Sequence, residues 1–409
     1  MLGFSKTKPI IDEKRIDELL SRGIENVFPS RNFVKSKMVR GERVTLYLGI
    51  DPTGPTLHMG HVIQLLRLAE FQKLGHQIIL LMGDFTAMIG DPTDKTATRR
   101  KLTKKEVLSN LAQYKKQASK FISFSGSNKA LFKYNAKWLS PMTFADVLEL
   151  TSLVTVDQML KRDMFVQRAK DGKPVYIHEF LYPLMQGYDS VAMDVDGEIG
   201  GNDQMFNMLM GRDLLKIIKN KEKFVITTKL LVDSSGKKMG KTENNMISLD
   251  QTADDMFGKV MSWTDDMIIP AFELVTQTPT SRISKIHTEI NSGANPRDSK
   301  IELASEIVSL YHGKQSAEKA KNNFDNTFAG KGVPESIQEI VVPEGTKLMD
   351  AVVQMGGVVS SNTEWRRLVL DNAILNVDTD SKVTNPDVVA EDGVYKIGKR
   401  RFVKITHKL

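Results

Sequence analysis

The 409-residue sequence has no cysteine, no internal repeat and no window approaching the ~20 apolar residues of a membrane span. The missing thiols exclude disulfide scaffolds, thiolate zinc sites, iron–sulfur clusters and cysteine nucleophiles together, and make a cytoplasmic address the expectation. Charges interrupt the N-terminal MLGFSKTKPIIDEKRIDELL throughout, so a soluble chain without a cleaved signal is expected. An acidic excess is lacking too. The 57 Lys plus Arg against 50 Asp plus Glu give a formal charge of +7, and the pI is near 9.2. That suits a polyanionic partner, though modestly for this size. What is present, 41% hydrophobic and 26% charged residues, is ordinary for a folded protein and removes disordered or collagen-like readings. The length allows about two to four domains.

Apolar spacing from Ile16 to Leu20, followed by Gly23, predicts a short outer helix with a glycine stop. A β-rich run from Val44 to Ile50 leads through the loop Asp51 to Thr56 into a periodic helix over about Leu57 to Gly75. Ile78 to Met82 is then continuously apolar, as in a strand buried on both faces of a parallel sheet. Strand, loop, helix, strand is a βαβ unit, so the fold class is α/β. Thr103 with Glu106 forms a capping box. Helical patterns follow to about Lys221, and Lys223 to Thr228 returns to the sheet, which makes about 102–198 an insertion within a first domain of 1–245. The region 246–332 reads as α-helical. Turn chemistry around Pro334 and Pro343 marks a linker over 333–345. A small α+β domain, 346–409, then carries a helix from Ser361 to Asn372 and a basic end with Lys396, Lys399, Arg400, Arg401, Lys404 and Lys408.

Four clusters carry candidate chemistry. His58 and His61 flank Gly60 at the start of the first crossover helix, where free N–H groups and the positive dipole end suit an anion. A capping histidine or half of a metal site are the alternatives, and with no Cys and no third ligand nearby the metal is the weaker one; no metal site is expected. Gly236-Lys237-Lys238-Met239-Gly240-Lys241-Thr242 invites a phosphate-loop reading, but its glycines are one residue too close for that fingerprint. Two lysines and a threonine still suit developing phosphate charge, against the plain alternative of a solvated loop. Tyr182, Gln186 and Asp189 fall on one stripe of a helix, ordinarily a solvent face. The nearby Gly200-Gly201-Asn202-Asp203-Gln204 favours a cleft instead, with backbone approach at the glycines and hydrogen-bonding side chains after them. Asp91, Lys95 and Arg99 lie in a loop after a strand and add a fourth, phosphate-compatible set.

In this order the clusters resemble a class I aminoacyl-tRNA synthetase, and more narrowly the bacterial-type tyrosyl-tRNA synthetases. His58-Met59-Gly60-His61 resembles the signature written HIGH, and Lys238-Met239-Gly240-Lys241-Thr242 the one written KMSKS, with Gly240 and Thr242 in place of its serines. Tyr47-Leu48-Gly49-Ile50-Asp51-Pro52-Thr53 and Tyr182 to Asp189 resemble the tyrosine pocket. The resemblance implies a Rossmann-like catalytic domain, a helical anticodon-binding domain and an S4-like RNA-binding tail. It implies that Tyr47 and Asp189 bond the substrate phenol, that Tyr182, Gln186 and Asp91 hold its ammonium, and that Gln204 lies beside its carboxylate. Thr53, His58, His61, Lys95, Arg99, Lys238, Lys241 and Thr242 would surround ATP, with Asp51 and Asp203 near its adenosine or ribose and Gly49, Gly60 and Gly201 also in the ATP site. Arg366, Arg367, Lys399, Arg400 and Arg401 would meet tRNA. Glu198 stands where some relatives carry Gln and is left outside the expected site. Tyrosine, ATP with Mg²⁺ on its phosphates, tRNA(Tyr) and a second copy of the chain are the implied partners, and tyrosine–tRNA ligation the implied reaction. A tryptophanyl-tRNA synthetase, a small-molecule nucleotidyltransferase or a catalytically silent RNA-binding relative are the competing readings.

Overall fold

The computed structural model describes residues 7–91, 102–232, 247–329, 337–398 and 401–407. They form two compact units, Met1–Thr252 with Lys259–Tyr311, and Ala253–Gly258 with His312–Leu409. Six strands build the first: β1 (Ile24–Phe28), β2 (Thr45–Ile50), β3 (Gln77–Met82), β4 (Leu131–Tyr134), β5 (Gly197–Gly201) and β6 (Phe224–Thr228). Their order is β1-β6-β5-β2-β3-β4. All neighbours are parallel except β1, which runs antiparallel to β6. Every residue of β3 is buried, as a strand covered on both faces must be. From β2 the chain moves outward through β3 to β4 and then crosses back to β5. That reversal opens a crevice at the carboxyl ends of β2 and β5, the usual ligand position in an open parallel sheet.

The helix Met59–Lys73 that follows β2 is apolar around most of its circumference and buries Val62, Ile63, Leu65, Leu66, Leu68 and Phe71. Its buried Gln64 is satisfied by donating to Thr228 Oγ1 at 2.8 Å. The capping box at Thr103 forms, with Glu106 N–H donating to Thr103 Oγ1 at 3.3 Å and Thr103 N–H to Glu106 Oε2 at 2.8 Å.

In this first unit three strands depart from the sequence reading. β4 lies inside the stretch expected as an insertion and extends the sheet beside β3. Four residues of mixed character, Leu-Phe-Lys-Tyr, carry little period-two signal, and their pairing with Ile79 to Met82 decides their state. β5 holds three glycines, poor strand formers, yet is buried throughout. A Cβ at Gly197 would fall 2.0 Å from the Phe224 ring, so glycine is what admits β6 alongside. β1 is the short antiparallel edge strand.

Between Ala253 and Ala329 five α-helices follow one another and no strand occurs. The last of them, Lys314–Ala329, belongs to the second unit, where the Phe257 and Phe324 rings lie 5.4 Å apart. The same unit carries β7 (Gln338–Val342), β8 (Ile374–Asn376), β9 (Ser381–Lys382), β10 (Gly393–Ile397) and β11 (Arg401–His407), in the order β7-β11-β10-β8-β9. The helix Asn362–Leu370 buries Trp365 completely among Ile374, Ile397, Val403 and Ile405. Residues 338–342, expected as part of a linker, are instead the edge strand β7, paired parallel to β11 and burying Ile340 and Val342. Among the described residues no helix is long and apolar enough to cross a membrane.

Candidate active site

Side chains from β2, β5, the residues just after β4 and the helix Ile177–Met193 converge at the carboxyl side of the sheet. Tyr47 on β2 is fully buried, and its hydroxyl lies 2.9 Å from Ser190 Oγ. Beside it on the helix, Asp189 is 3% exposed and accepts from Trp138 Nε1 at 2.7 Å and Asn135 Nδ2 at 3.3 Å. Burial pushes the Asp189 carboxyl well above the usual carboxylate range, against the pull of those two donors. Burial, with Glu198 and Asp189 adding negative potential, also drives the Tyr47 phenol well above its ordinary value, so it stays protonated. A buried acceptor beside a buried hydroxyl is chemistry suited to binding a phenol.

Away from that end, Tyr182 donates to Asp51 Oδ2 at 2.8 Å, and Thr86 donates to Asp51 Oδ1 at 2.7 Å. A Cβ at Gly83 would stand 1.9 Å from Asp51 Oδ1, so the glycine after β3 makes room for this contact. Asp91 accepts from Arg162 Nη2 at 2.9 Å and from Gln204 Nε2 at 2.7 Å. Asn207 Nδ2 bridges Gln186 Oε1 at 2.9 Å and Gln204 Oε1 at 3.1 Å. The structure thus connects Asp91, Gln186 and Gln204 in one network, and ties Tyr182 to Asp51, a residue expected toward adenosine rather than toward the amino acid.

His58 caps the Met59–Lys73 helix, and its N–H donates to His61 Nδ1 at 3.1 Å. The two rings lie 3.9 Å apart between centroids. A Cβ at Gly60 would meet the His58 ring at 3.0 Å. Thr53 and Gly49 are exposed at the carboxyl end of β2, while Gly201 and Asp203 close β5. Lys95, Arg99, Lys238, Lys241 and Thr242 lie outside the described residues, as do Lys399 and Arg400 of the tail. Arg366 and Arg367 are exposed. Arg401 is engaged internally, donating to Glu364 Oε1 and to Val358 O, each at 2.8 Å. Among the described residues no three His, Asp or Glu side chains are grouped to hold a metal.

Sequence reasoning missed Asn135, Trp138, Arg162, Ser190, Glu198, Asn207 and Lys223. Asn135 follows β4 directly, so recognising that strand would have flagged it as a residue at a carboxyl end. Glu198, set aside from the expected site, is buried beside it: it accepts from Gln186 Nε2 at 3.3 Å and pairs with the buried Lys223.

A family model described as tRNA synthetases class I (W and Y) matches residues 39–329. A tyrosine–tRNA ligase of Carboxydothermus hydrogenoformans is 40% identical over 97% of this chain and 99% of its own length. One from Moorella thermoacetica is 38% identical over 95% and 94%. Among solved structures, a C-terminally truncated mitochondrial tyrosyl-tRNA synthetase of Coccidioides posadasii aligns with a TM-score of 0.63 and 26% identity, covering 75% of this chain and 91% of that one. A family match across the Rossmann-like sheet and its crevice, with such relatives along nearly the whole chain, shows that the protein belongs to the class I tRNA synthetases (W and Y), a family of aminoacyl-tRNA synthetase enzymes.

Proposed function

We propose that the chain is a cytoplasmic tyrosine–tRNA ligase. It activates L-tyrosine with ATP to tyrosyl-adenylate and pyrophosphate, then transfers tyrosine to the 3′-terminal adenosine of tRNA(Tyr). The observation that carries this reading is the buried phenol end of the crevice, where Asp189 offers an acceptor and Tyr47 a hydroxyl: a substrate phenol can donate to the one and accept from the other, whereas an indole N–H can only donate and leaves the Tyr47 hydroxyl without an acceptor. The relatives named tyrosine–tRNA ligase support it independently.

In the reaction a tyrosine carboxylate oxygen attacks the ATP α-phosphorus and pyrophosphate leaves. A terminal ribose hydroxyl then attacks the carbonyl carbon and AMP leaves. No protein nucleophile is needed. Tyr47 and Asp189 bind the phenol, Tyr182, Gln186 and Asp91 hold the ammonium, and Gln204 orients the carboxylate, so positioning supplies much of the rate. Asp51 and Asp203 lie toward the adenosine or ribose, and Gly49, Gly60 and Gly201 leave room for the nucleotide. Thr53, His58, His61, Lys95, Arg99, Lys238, Lys241 and Thr242 meet the charge that grows on the leaving pyrophosphate. Mg²⁺ arrives as the counter-ion of the ATP phosphates and shares that neutralisation.

The helices of 246–332 contact the anticodon arm, and the C-terminal sheet acts as an S4-like tRNA reader through Arg366, Arg367, Lys399 and Arg400. The chain acts as a homodimer. Phe144, Leu148, Val156, Leu160, Val166, Tyr176 and Ile177 of the segment between β4 and β5 are all exposed large hydrophobics, which suits an interface. Charging of tRNA(Tyr) with labelled tyrosine by the purified protein tests the assignment. Robust charging is expected, and its absence with active ATP, Mg²⁺ and tRNA would overturn it.

A further inference from the structure

Beneath the phenol end lies a buried ion pair that the reaction above does not use. Lys223 immediately precedes β6, is 0% exposed, and its Nζ contacts Ser190 Oγ at 2.8 Å and Glu198 Oε2. Buried ion pairs seldom stabilise a fold more than apolar residues of the same size would. The fold nevertheless opens for this one: a Cβ at Gly211 would stand 2.7 Å from Lys223 Nζ and 2.8 Å from Ser190 Oγ.

An ammonium has three protons and no lone pair, so it donates in both contacts. Ser190 therefore accepts at Oγ and keeps one proton, with the Tyr47 oxygen 2.9 Å away. When Ser190 gives that proton to Tyr47, the Tyr47 proton is left to point elsewhere. We propose that Lys223 and Ser190 are positioning residues for amino-acid selection: they fix a hydrogen-bond relay from Lys223 through Ser190 to Tyr47, so that Tyr47 donates to the substrate phenol oxygen while Asp189 accepts the phenol proton. The proposal rests on the reading that Tyr47 and Asp189 hold the phenol. Glu198 completes the device. One of its oxygens anchors Lys223, and the other accepts from Gln186 at 3.3 Å, which reaches toward the ammonium end.

The test compares tyrosine- and phenylalanine-dependent ATP–pyrophosphate exchange in the full chain. Lys223→Met with Glu198→Gln removes both charges together, and Ser190→Ala breaks the relay while leaving the ion pair in place. Either change is expected to raise KM for tyrosine about tenfold or more; Ser190→Ala should leave kcat within about twofold and phenylalanine kcat/KM unchanged, whereas the paired change also alters the Glu198 contact to Gln186 and should lower both amino acids, tyrosine the more. In a Tyr47→Phe background Ser190→Ala should add nothing further. An unchanged tyrosine-to-phenylalanine ratio in Ser190→Ala, or equal losses for both amino acids, overturns the relay, and Ser190→Ala decides alone where the paired variant does not fold. Tyr47→Phe by itself separates the two levels. If it leaves the ratio unchanged, the pocket assignment fails and the relay with it. If it lowers the ratio and Ser190→Ala does not, the pocket assignment stands and the relay fails.

Discussion

Asp189 concentrates the chemistry of the site in one carboxylate. It is buried, held by Trp138 and Asn135, and placed next in sequence to the serine that bonds Tyr47. Replacing it with alanine removes the acceptor for a substrate hydroxyl, and tyrosine should lose about 100-fold or more in kcat/KM relative to phenylalanine. The tyrosine enzymes of this same family are the reference case for rejecting phenylalanine through buried hydroxyl partners. Lys241→Ala should instead slow adenylate formation with little change in tyrosine KM, since its expected partner is phosphate. Pre-steady-state adenylate formation at varied tyrosine separates the two, and equal losses of tyrosine binding in both would contradict the roles assigned. A second residue speaks through pH. His76 is buried, accepts from Val44 N–H at 3.3 Å, and has its pKa lowered to about 4 by burial. The unfolded chain binds its proton near pH 6.5, so between about 6.5 and 4 the unfolded state holds more protons and stability falls as pH falls. Denaturant titrations over that range should show a shallower loss in His76→Gln than in the parent; identical slopes would show that His76 is not the group involved.

At the scale of elements, the C-terminal sheet depends on two separate pieces, a helix and an edge strand. Trp365 fills its core from the helix Asn362–Leu370, and Trp365→Ala should destabilise this part by about 3–5 kcal/mol, read as an early transition in thermal unfolding. β7 sets where a truncation must fall. Cutting after Pro343 keeps β7 without its partner β11 and exposes Ile340 and Val342, whereas cutting before Gln338 removes the whole sheet. The second truncation should keep pyrophosphate exchange near the parent level and lose tRNA charging; persistent charging would mean that the tail does not read tRNA. Elements with a strong period were legible from sequence: β2, β3, β6, the Met59–Lys73 helix and the Thr103 cap stand within a few residues of their expected positions. β4, β5 and β7 were not, because a four-residue edge, a glycine-rich strand and a strand beside prolines owe their state to partners distant in sequence. The same cause hid part of the site. Asn135 and Trp138 gain meaning only once β4 is in the sheet, and Lys223 reads as an ordinary strand-start lysine until helix packing buries it.

For the molecule as a whole, the modest positive charge and the missing cysteines fit a reaction carried by orientation and electrostatics rather than by covalent intermediates. Assembly is testable at this scale. Phe144 and Ile177 are 78% and 82% exposed, unusual for large apolar side chains on the surface of a monomer. Phe144→Glu with Ile177→Glu should convert a dimer to a monomer in sedimentation velocity, and an unchanged dimer would place the interface elsewhere. The central claim, that this member of the class I (W and Y) family selects tyrosine, is tested most directly by ATP–pyrophosphate exchange with each of the twenty amino acids in turn. Tyrosine should stimulate exchange far above every other amino acid; exchange stimulated best by tryptophan, or by none, would contradict it.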